Sequence, residues 1–169
     1  MLRKWLPLVF ILCFSGCAPA VNDLGLPPAT TSPTLEPESV ATVDETLQGL
    51  ADDFISLRTA VGQFNGGSWN PDVDEWQGPK HSIMLDLGQQ LGNGRFTCTQ
   101  LTNLLQPPDH SIQGGDPLHE LIQAVPAGAT AADETTQFLV YEWRGTHDFL
   151  FFVCEDGRIT AADWWYAGE

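Results

Sequence analysis

Apolar residues at helical spacing mark the part of the chain that follows residue 40. Between residues 41 and 64 they are separated alternately by four and three positions, which places them on one face of a helix. This pattern predicts a helix that packs on its own domain, with a coiled coil as the alternative. The apolar positions are Val43, Leu47, Leu50, Phe54, Leu57, Val61 and Phe64.

Two further helices and one helical turn are predicted beyond a loop rich in Gly and Pro. Residues 79–91 resume helical spacing and are followed by glycines. Thr97 and Gln100 have the spacing of a capping box, which predicts a third helix that ends before two prolines. The loop over residues 109–136 contains a short helical turn near residues 117–125.

The last third of the chain has the pattern of strands. Residues 137–143, 148–154 and 158–166 are rich in aromatic and β-branched side chains, and the segments between them are short enough for hairpins. We therefore expect an α+β fold, with N-terminal helices packed on a C-terminal three-stranded antiparallel meander. The helices should cover one face of this sheet.

Adjacent tryptophans near the end of the chain raise the question of what the other sheet face does. Successive strand residues point to opposite faces, so Trp164 and Trp165 cannot both enter the same core. We expect one to be buried and the other to lie on the far face, near Tyr141 or Trp143. That face is either covered by the long loop or open, and an open patch beside Arg144 would be a binding surface.

The N-terminus has the layout of an export signal. Arg3 and Lys4 precede an apolar run of about ten residues, which ends in small residues and Cys17. A helix needs roughly twenty residues to span a bilayer, so this run is too short for an ordinary transmembrane anchor. Residues 14–17, Phe-Ser-Gly-Cys, resemble the lipobox of bacterial lipoproteins, although Leu is usual where Phe14 stands. The alternative is a secreted protein cut near Ala18 or Ala20.

The lipobox resemblance implies a subcellular location and a division of the chain into three segments. It implies cleavage before Cys17, lipid on that cysteine, and a position on the extracytoplasmic face of a bacterial membrane. In a cell with two membranes it implies the outer membrane. We expect residues 1–16 to be the signal peptide, 17–40 a lipidated Cys with a Pro- and Thr-rich tether, and 41–169 a single globular domain.

The charge of the chain limits the kinds of partner it can bind, and its cysteine content suggests a covalent cross-link. The chain has 22 Asp and Glu against 7 Lys and Arg, a net charge of −15, which argues against nucleic acid as a partner. In an exported protein, Cys98 and Cys154 are expected to form a disulfide, with two buried free thiols as the alternative.

Catalytic motifs are incomplete in this sequence. "HELIQ" at residues 119–123 begins like a zinc-protease motif, but Gln123 stands at the second ligand position. Residues 70–81 begin like a calcium loop but lack its glycine and its final glutamate. We therefore predict no enzyme activity, no cofactor and no metal. The loop tryptophans Trp69 and Trp76 are expected to pack on the helices, with exposure for binding as the alternative.

The last seventy or so residues contain Thr97 and three further segments, "LTNLLQPPD" (101–109), "YEWRG" (141–145) and "FLFFVCEDGRIT" (149–160). In these segments the chain resembles the small envelope lipoproteins of the SmpA/OmlA, or BamE-like, group, whose relatives share the fold of β-lactamase inhibitory protein repeats. Gln106 stands where Gly is usual, the loop over 109–136 is long, and the helix at 41–64 lies outside the match. The resemblance implies a non-enzymatic interaction role at a membrane.

Two functional hypotheses follow. The first is a lipid-anchored interaction or scaffold module that binds another envelope protein through an aromatic sheet face. The second is a lipoprotein that binds a small ligand or glycan on exposed Trp residues. A flat aromatic face would favour the protein partner, and a concave aromatic cleft would favour the ligand.

Overall fold

The computed structural model describes residues 40–131 and 135–168. These residues form helices and a sheet in the unit Pro37–Glu169. The predicted signal peptide, Cys17 and nearly all of the tether lie outside the described residues. The helices are α1 (Glu45–Arg58), α2 (Pro71–Asp74), α3 (Pro79–Leu91), α4 (Cys98–Leu105), α5 (Pro117–Gln123) and α6 (Pro126–Thr130); the strands are β1 (His110–Ile112), β2 (Gln137–Glu142), β3 (Asp148–Glu155) and β4 (Arg158–Tyr166).

The α+β class is confirmed, and the sheet has one strand more than the three expected. The order is β1-β2-β3-β4, and every neighbouring pair is antiparallel. The predicted meander corresponds to β2, β3 and β4. The additional strand, β1, has only three residues, His-Ser-Ile, which is too short to show an alternating pattern.

The helix predictions are confirmed for α3 and α4. The capping box at the start of α4 is formed, because the Gln100 amide donates to Thr97 Oγ1 over 3.1 Å and the Thr97 amide donates to Gln100 Oε1 over 2.9 Å. The first helix is shorter than expected. It begins after Asp44, whose carboxylate accepts from the Leu47 amide, and it ends at Arg58, so Val43 and Val61 lie outside it and are exposed.

The sheet is covered on both faces. On one face α1, α3 and α4 pack over a core that includes Phe54, Met84 and Leu101. On the other, α5 and α6 from the long loop pack over a second core that includes Ile122 and Phe151. The far face is therefore covered by the long loop, and the alternative of an open face is corrected. We call these two sets the α1-side core and the α5-side core.

Within the described residues, no helix has the length and apolar character needed to cross a bilayer.

Candidate functional site

The aromatic residues expected on an open surface lie mostly in the core. Tyr141 and Trp143 have exposed fractions of 0% and 4%, and both belong to the α1-side core. Arg144 is buried as well, at 8% exposure. The expected open patch around these three side chains is therefore corrected, because the α1-side helices cover it.

The two adjacent tryptophans do point to opposite faces. Trp164 pairs across the sheet with Leu150 and packs against the α1-side core, where Tyr141 and Trp143 also lie. Trp165 pairs with Phe149 and packs against the α5-side core. Both are half-buried, so each contributes to a core instead of standing free on the surface.

A buried histidine surrounded by aromatic rings stands at one end of the sheet. His81 lies in the first turns of α3 and is 1% exposed. The His81 ring packs among aromatic side chains from the turn before α3, from the residue after β2 and from the last residues of β4. The centroid distances are 4.5 Å to Trp76, 4.3 Å to Trp143, 5.2 Å to Trp164 and 6.3 Å to Tyr166.

The hydrogen bonds of His81 assign its tautomer. The Gln77 backbone amide donates to Nδ1 over 3.2 Å, so Nδ1 carries no proton in the neutral ring. Nε2 is therefore the protonated nitrogen, and it donates to the Tyr166 hydroxyl oxygen 3.2 Å away. Gln77 has a φ of 60°, in the left-handed region, and this turn aims its amide at the imidazole.

Burial keeps both members of this pair uncharged. It lowers the pKa of His81, the Arg144 guanidinium lowers it further, and Asp148 opposes them. Burial also raises the pKa of Tyr166 to about 12, with Asp148 and Asp163 acting in the same direction. The phenol of Tyr166 is therefore a protonated hydroxyl near neutral pH.

Arg144 and Asp148 form a buried pair of opposite charges beside this ring cluster. The Arg144 Nη1 and Asp148 Oδ2 atoms are 3.5 Å apart. Arg144 Nε donates to the Asp74 carbonyl over 2.8 Å, and its guanidinium lies 4.1 Å from the centre of the Trp143 ring. Asp148 also accepts from the Ala167 amide. The pair is thus held in place and presents little net charge.

These groups line a cleft that opens at the surface. Its volume is about 320 Å³, and Trp76, Arg144, Asp148, Tyr166 and Gly168 form its wall. The centroids of the Trp76 and Tyr166 rings are 5.1 Å apart and the rings are inclined at 60°, so they are in edge-to-face contact and form one aromatic wall. We call this site the Trp76 cleft. Its size is at the lower end of the range typical of small-molecule sites, about 300–1,000 Å³.

Trp76 is the accessible aromatic surface of the cleft. Its exposed fraction is 52%, and Trp69, which is not part of the cleft wall, has the same value. Trp76 packs on α3 through His81, as expected, and about half of its surface is nevertheless accessible. The buried part of Trp76 contacts the rings of His81 and Trp143, and these contacts hold the indole in position.

A smaller polar cavity lies near the cleft, around Lys80. It holds about 70 Å³ and is lined by residues that include Arg58, Asp109 and Glu142. Lys80 is 6% exposed and donates to the Trp143 carbonyl over 3.0 Å. Burial lowers its pKa, although the Asp109 and Glu142 carboxylates oppose this change. The cavity is of a size to hold one or two water molecules.

Asp74, in the segment that begins like a calcium loop, is already engaged by the protein. Its carboxylate accepts from the backbone amides of Gln63 and Asn70, each over 2.8 Å. The described residues contain no group of three or more His, Cys, Asp or Glu side chains placed to hold a metal ion. The Asp74 carboxylate therefore serves to hold this loop together by accepting backbone hydrogen bonds.

The structure brings Cys98 and Cys154 together. Cys98 begins α4 and Cys154 lies in β3, with 56 positions between them in the sequence. Their Cα atoms are 6.0 Å apart, within the range of disulfide-bonded cysteines, and their sulfur atoms are at bonding distance. This geometry is compatible with the expected disulfide.

No family model matches the chain, and no match was found among curated proteins or solved structures. The resemblance to the SmpA/OmlA group therefore stays a prediction. The lipobox and Cys17 also stay predictions, because they lie outside the described residues.

The meeting of residues in the Trp76 cleft is not predicted by the sequence pattern. The pattern places Trp76 in a loop, and Trp164 and Trp165 on opposite sheet faces, without joining them. His81 is the last position of the incomplete calcium loop over residues 70–81 and has no other predicted role. The available signal was Trp76 and His81 flanking the predicted start of α3, but nothing local indicates that Tyr166, 85 positions beyond His81, lies beside them.

Proposed function

We propose that this protein is an exported, lipid-anchored binding module of the bacterial cell envelope, and that it holds a small ligand in the Trp76 cleft without catalysing a reaction. The observation that carries this proposal is the half-exposed Trp76 ring standing in a concave site of about 320 Å³ beside Tyr166. A soluble protein that leaves such an aromatic face accessible in a cleft has a surface suited to stacking a ligand.

The shape of the site favours a ligand over the protein-interaction hypothesis. The residues expected to form a flat docking face, Tyr141 and Trp143, are buried beneath helices. A flat aromatic face would have suited a protein partner, whereas a cleft with one accessible aromatic ring in its wall suits a compact molecule. The ligand hypothesis therefore replaces the scaffold hypothesis as the better-supported one.

The proposed location in the cell envelope is supported by the sequence of the N-terminal residues alone. Arg3, Lys4 and the short apolar run before Cys17 support export and lipid attachment. The Pro-rich segment that follows would hold the binding domain away from the membrane surface. An intact mass measured on protein extracted from membranes tests this part, since an unmodified Cys17 thiol would overturn it.

The cleft is tested with two tryptophan variants that differ only in location. We expect compounds from a fragment library to show saturation-transfer NMR signals with the wild-type protein. Trp76→Ala should abolish those signals for most binders, because it removes the stacking surface. Trp69→Ala removes an equally exposed ring outside the cleft and should leave them unchanged.

Two results would contradict the proposal. One is a set of binders that Trp76→Ala leaves intact, which would place the site elsewhere. The other is the absence of binders together with one reproducible crosslinked envelope protein that is lost in Trp76→Ala, which would restore the scaffold hypothesis. Circular dichroism of both variants establishes that the fold is retained.

A further inference from the structure

We propose that the ligand of the Trp76 cleft is a neutral pyranose sugar, that one of its oxygen atoms accepts a hydrogen bond from the Tyr166 hydroxyl, and that His81 sets the direction of this bond. This inference rests on the proposed function, since it names the ligand class for the same cleft. It also assigns His81 the role of a positioning residue.

The direction of the bond follows from a chain of donors. The Gln77 amide can only donate, so Nδ1 of His81 accepts. Nε2 then carries the ring proton and donates to the Tyr166 hydroxyl oxygen. Because that oxygen is already accepting, the hydroxyl proton of Tyr166 is turned away from His81. Among the described residues this hydroxyl has no second partner.

Tyr166, a residue of the cleft wall, therefore carries a hydroxyl proton that the described residues leave available for donation. Tyr166 is half-buried and forms part of the cleft wall. Its pKa of about 12 keeps the hydroxyl protonated across the physiological range. A ligand in the cleft must offer an acceptor at this point, and a sugar hydroxyl or ring oxygen is such an acceptor.

The charges around the cleft favour a neutral ligand. Arg144 in the wall opposes a cation, and Asp148 beside it opposes an anion. The two charges also partly cancel each other at their 3.5 Å separation. The net charge of −15 on the whole chain further disfavours phosphorylated ligands such as nucleotides.

The geometry of the aromatic walls favours a sugar ring over a flat aromatic ligand. A planar aromatic molecule gains most between two parallel rings, but Trp76 and Tyr166 are in edge-to-face contact with each other, so no ligand ring enters between them. A pyranose instead needs one ring beneath its C–H face and polar groups around its edge. Trp76, with 52% of its surface exposed, supplies the face, and the Tyr166 hydroxyl supplies an edge contact.

Affinity measurements test the ligand class. The probes are oligosaccharides derived from cellulose, chitin and starch, with choline and inorganic phosphate as charged comparisons, titrated against tryptophan fluorescence. We expect at least one oligosaccharide to bind and neither charged probe to do so. Trp76→Ala should weaken that binding by about tenfold, and Tyr166→Phe, which keeps the ring, by about fivefold. Trp69→Ala should have no effect.

The role of His81 is tested by its tautomer and by coupling to Tyr166. Long-range proton–nitrogen NMR of the wild-type protein should show His81 protonated at Nε2 and unprotonated at Nδ1. His81→Phe should weaken sugar binding about as much as Tyr166→Phe, and the double variant should be no weaker than either single one. A purely structural role would instead make the losses add.

The outcomes separate this inference from the proposed function. If the protein binds choline or phosphate, or binds aromatic fragments alone, the assignment of a sugar as the ligand is wrong. The Trp76 cleft remains a ligand site in that case. A His81 ring protonated at Nδ1, or additive losses in the double variant, overturns the positioning role. If His81→Phe does not fold, the tautomer of the wild-type protein and the Tyr166→Phe affinity still decide the question.

Discussion

Gln106 shows how one side-chain hydrogen bond can hold a backbone under strain. The residue follows α4 with a φ of 63° and a ψ of 174°, a region that is populated almost only by glycine. Its carbonyl accepts from the buried Tyr141 hydroxyl over 3.0 Å. The conformation thus lets the chain leave α4 and satisfy a phenol inside the α1-side core.

Gln106→Gly is expected to stabilise the protein. Strain in this region costs of order 1–3 kcal/mol, and glycine gives back part of that gain through its more flexible unfolded state. The net increase in the free energy of unfolding should be about 1 kcal/mol, measured by urea denaturation. Gln106→Ala retains a Cβ atom and serves as the control; an equal gain in both variants would show that the backbone is not the cause.

At the scale of elements, α3 owes its close approach to β4 to a missing side chain. A Cβ atom at Gly92 would lie 2.6 Å from the Ala162 Cβ and 2.7 Å from the Ala162 backbone nitrogen. The end of α3 therefore packs directly on β4 at Ala162, on the α1-side face of the sheet. Nearby, the Ile159 amide donates to the Phe96 carbonyl and the Trp164 amide to the Asp163 side chain. This edge strand is thus protected against pairing with another chain.

Two glycine-to-alanine variants should change stability in opposite directions. Gly92→Ala must separate α3 from β4 and should lower the free energy of unfolding by about 1–3 kcal/mol. Gly49→Ala lies in α1, where a Cβ would meet nothing within 4 Å, and should raise it by about 0.5–1 kcal/mol. Thermal and urea denaturation measure both. A neutral result for Gly92→Ala would mean that the contact with β4 is loose.

The elements that were predicted from sequence are those with a long periodic signal. In α3 the buried positions Met84, Leu87 and Leu91 recur at helical spacing, and β3 and β4 are each at least eight residues long. The elements that were missed have three to five residues: β1, α2 and α6. A segment this short contains little more than one period of a helical or strand pattern, so its structure depends on contacts made elsewhere.

The candidate site was harder to predict than the fold for a related reason. Trp76 comes from a turn, His81 from α3, and Tyr166 from the last position of β4. Their meeting depends on how α3 lies across the sheet, which no local pattern reports. The burial of Tyr141 and Trp143 was not predicted for the same reason. Their exposure depends on which face of the sheet is covered by α1, α3 and α4.

At the scale of the whole molecule, Cys98 and Cys154 are placed where a disulfide would connect the helices to the sheet. A disulfide here closes a loop of 56 positions, and the chain-entropy model gives about 4 kcal/mol of stabilisation for a loop of that length. The link would join the start of α4 to β3, so it would resist separation of the two layers.

Reduction should therefore lower the stability of this protein markedly. We expect Cys98→Ala/Cys154→Ala to lose about 4 kcal/mol in urea denaturation, and reductant to have the same effect on the wild-type protein but none on the double variant. Intact mass after thiol alkylation, with and without reduction, counts the bonded cysteines. Two alkylated thiols at positions 98 and 154 in the unreduced protein would disprove the disulfide.

The point where the chain enters the domain has a mechanical consequence. The Ala41 amide donates to the Arg95 carbonyl, and the Ala41 carbonyl accepts from the Gln100 side chain. A chain held at its N-terminus would transmit tension to this corner, beside Thr97 and Arg158 at the start of β4. Tyr166 lies at the opposite end of that strand, roughly 26 Å away at ~3.3 Å per residue. With the proposed N-terminal anchor, a pull would first load the Ala41 hydrogen bonds, at the end of β4 that lies away from Tyr166 and the Trp76 cleft.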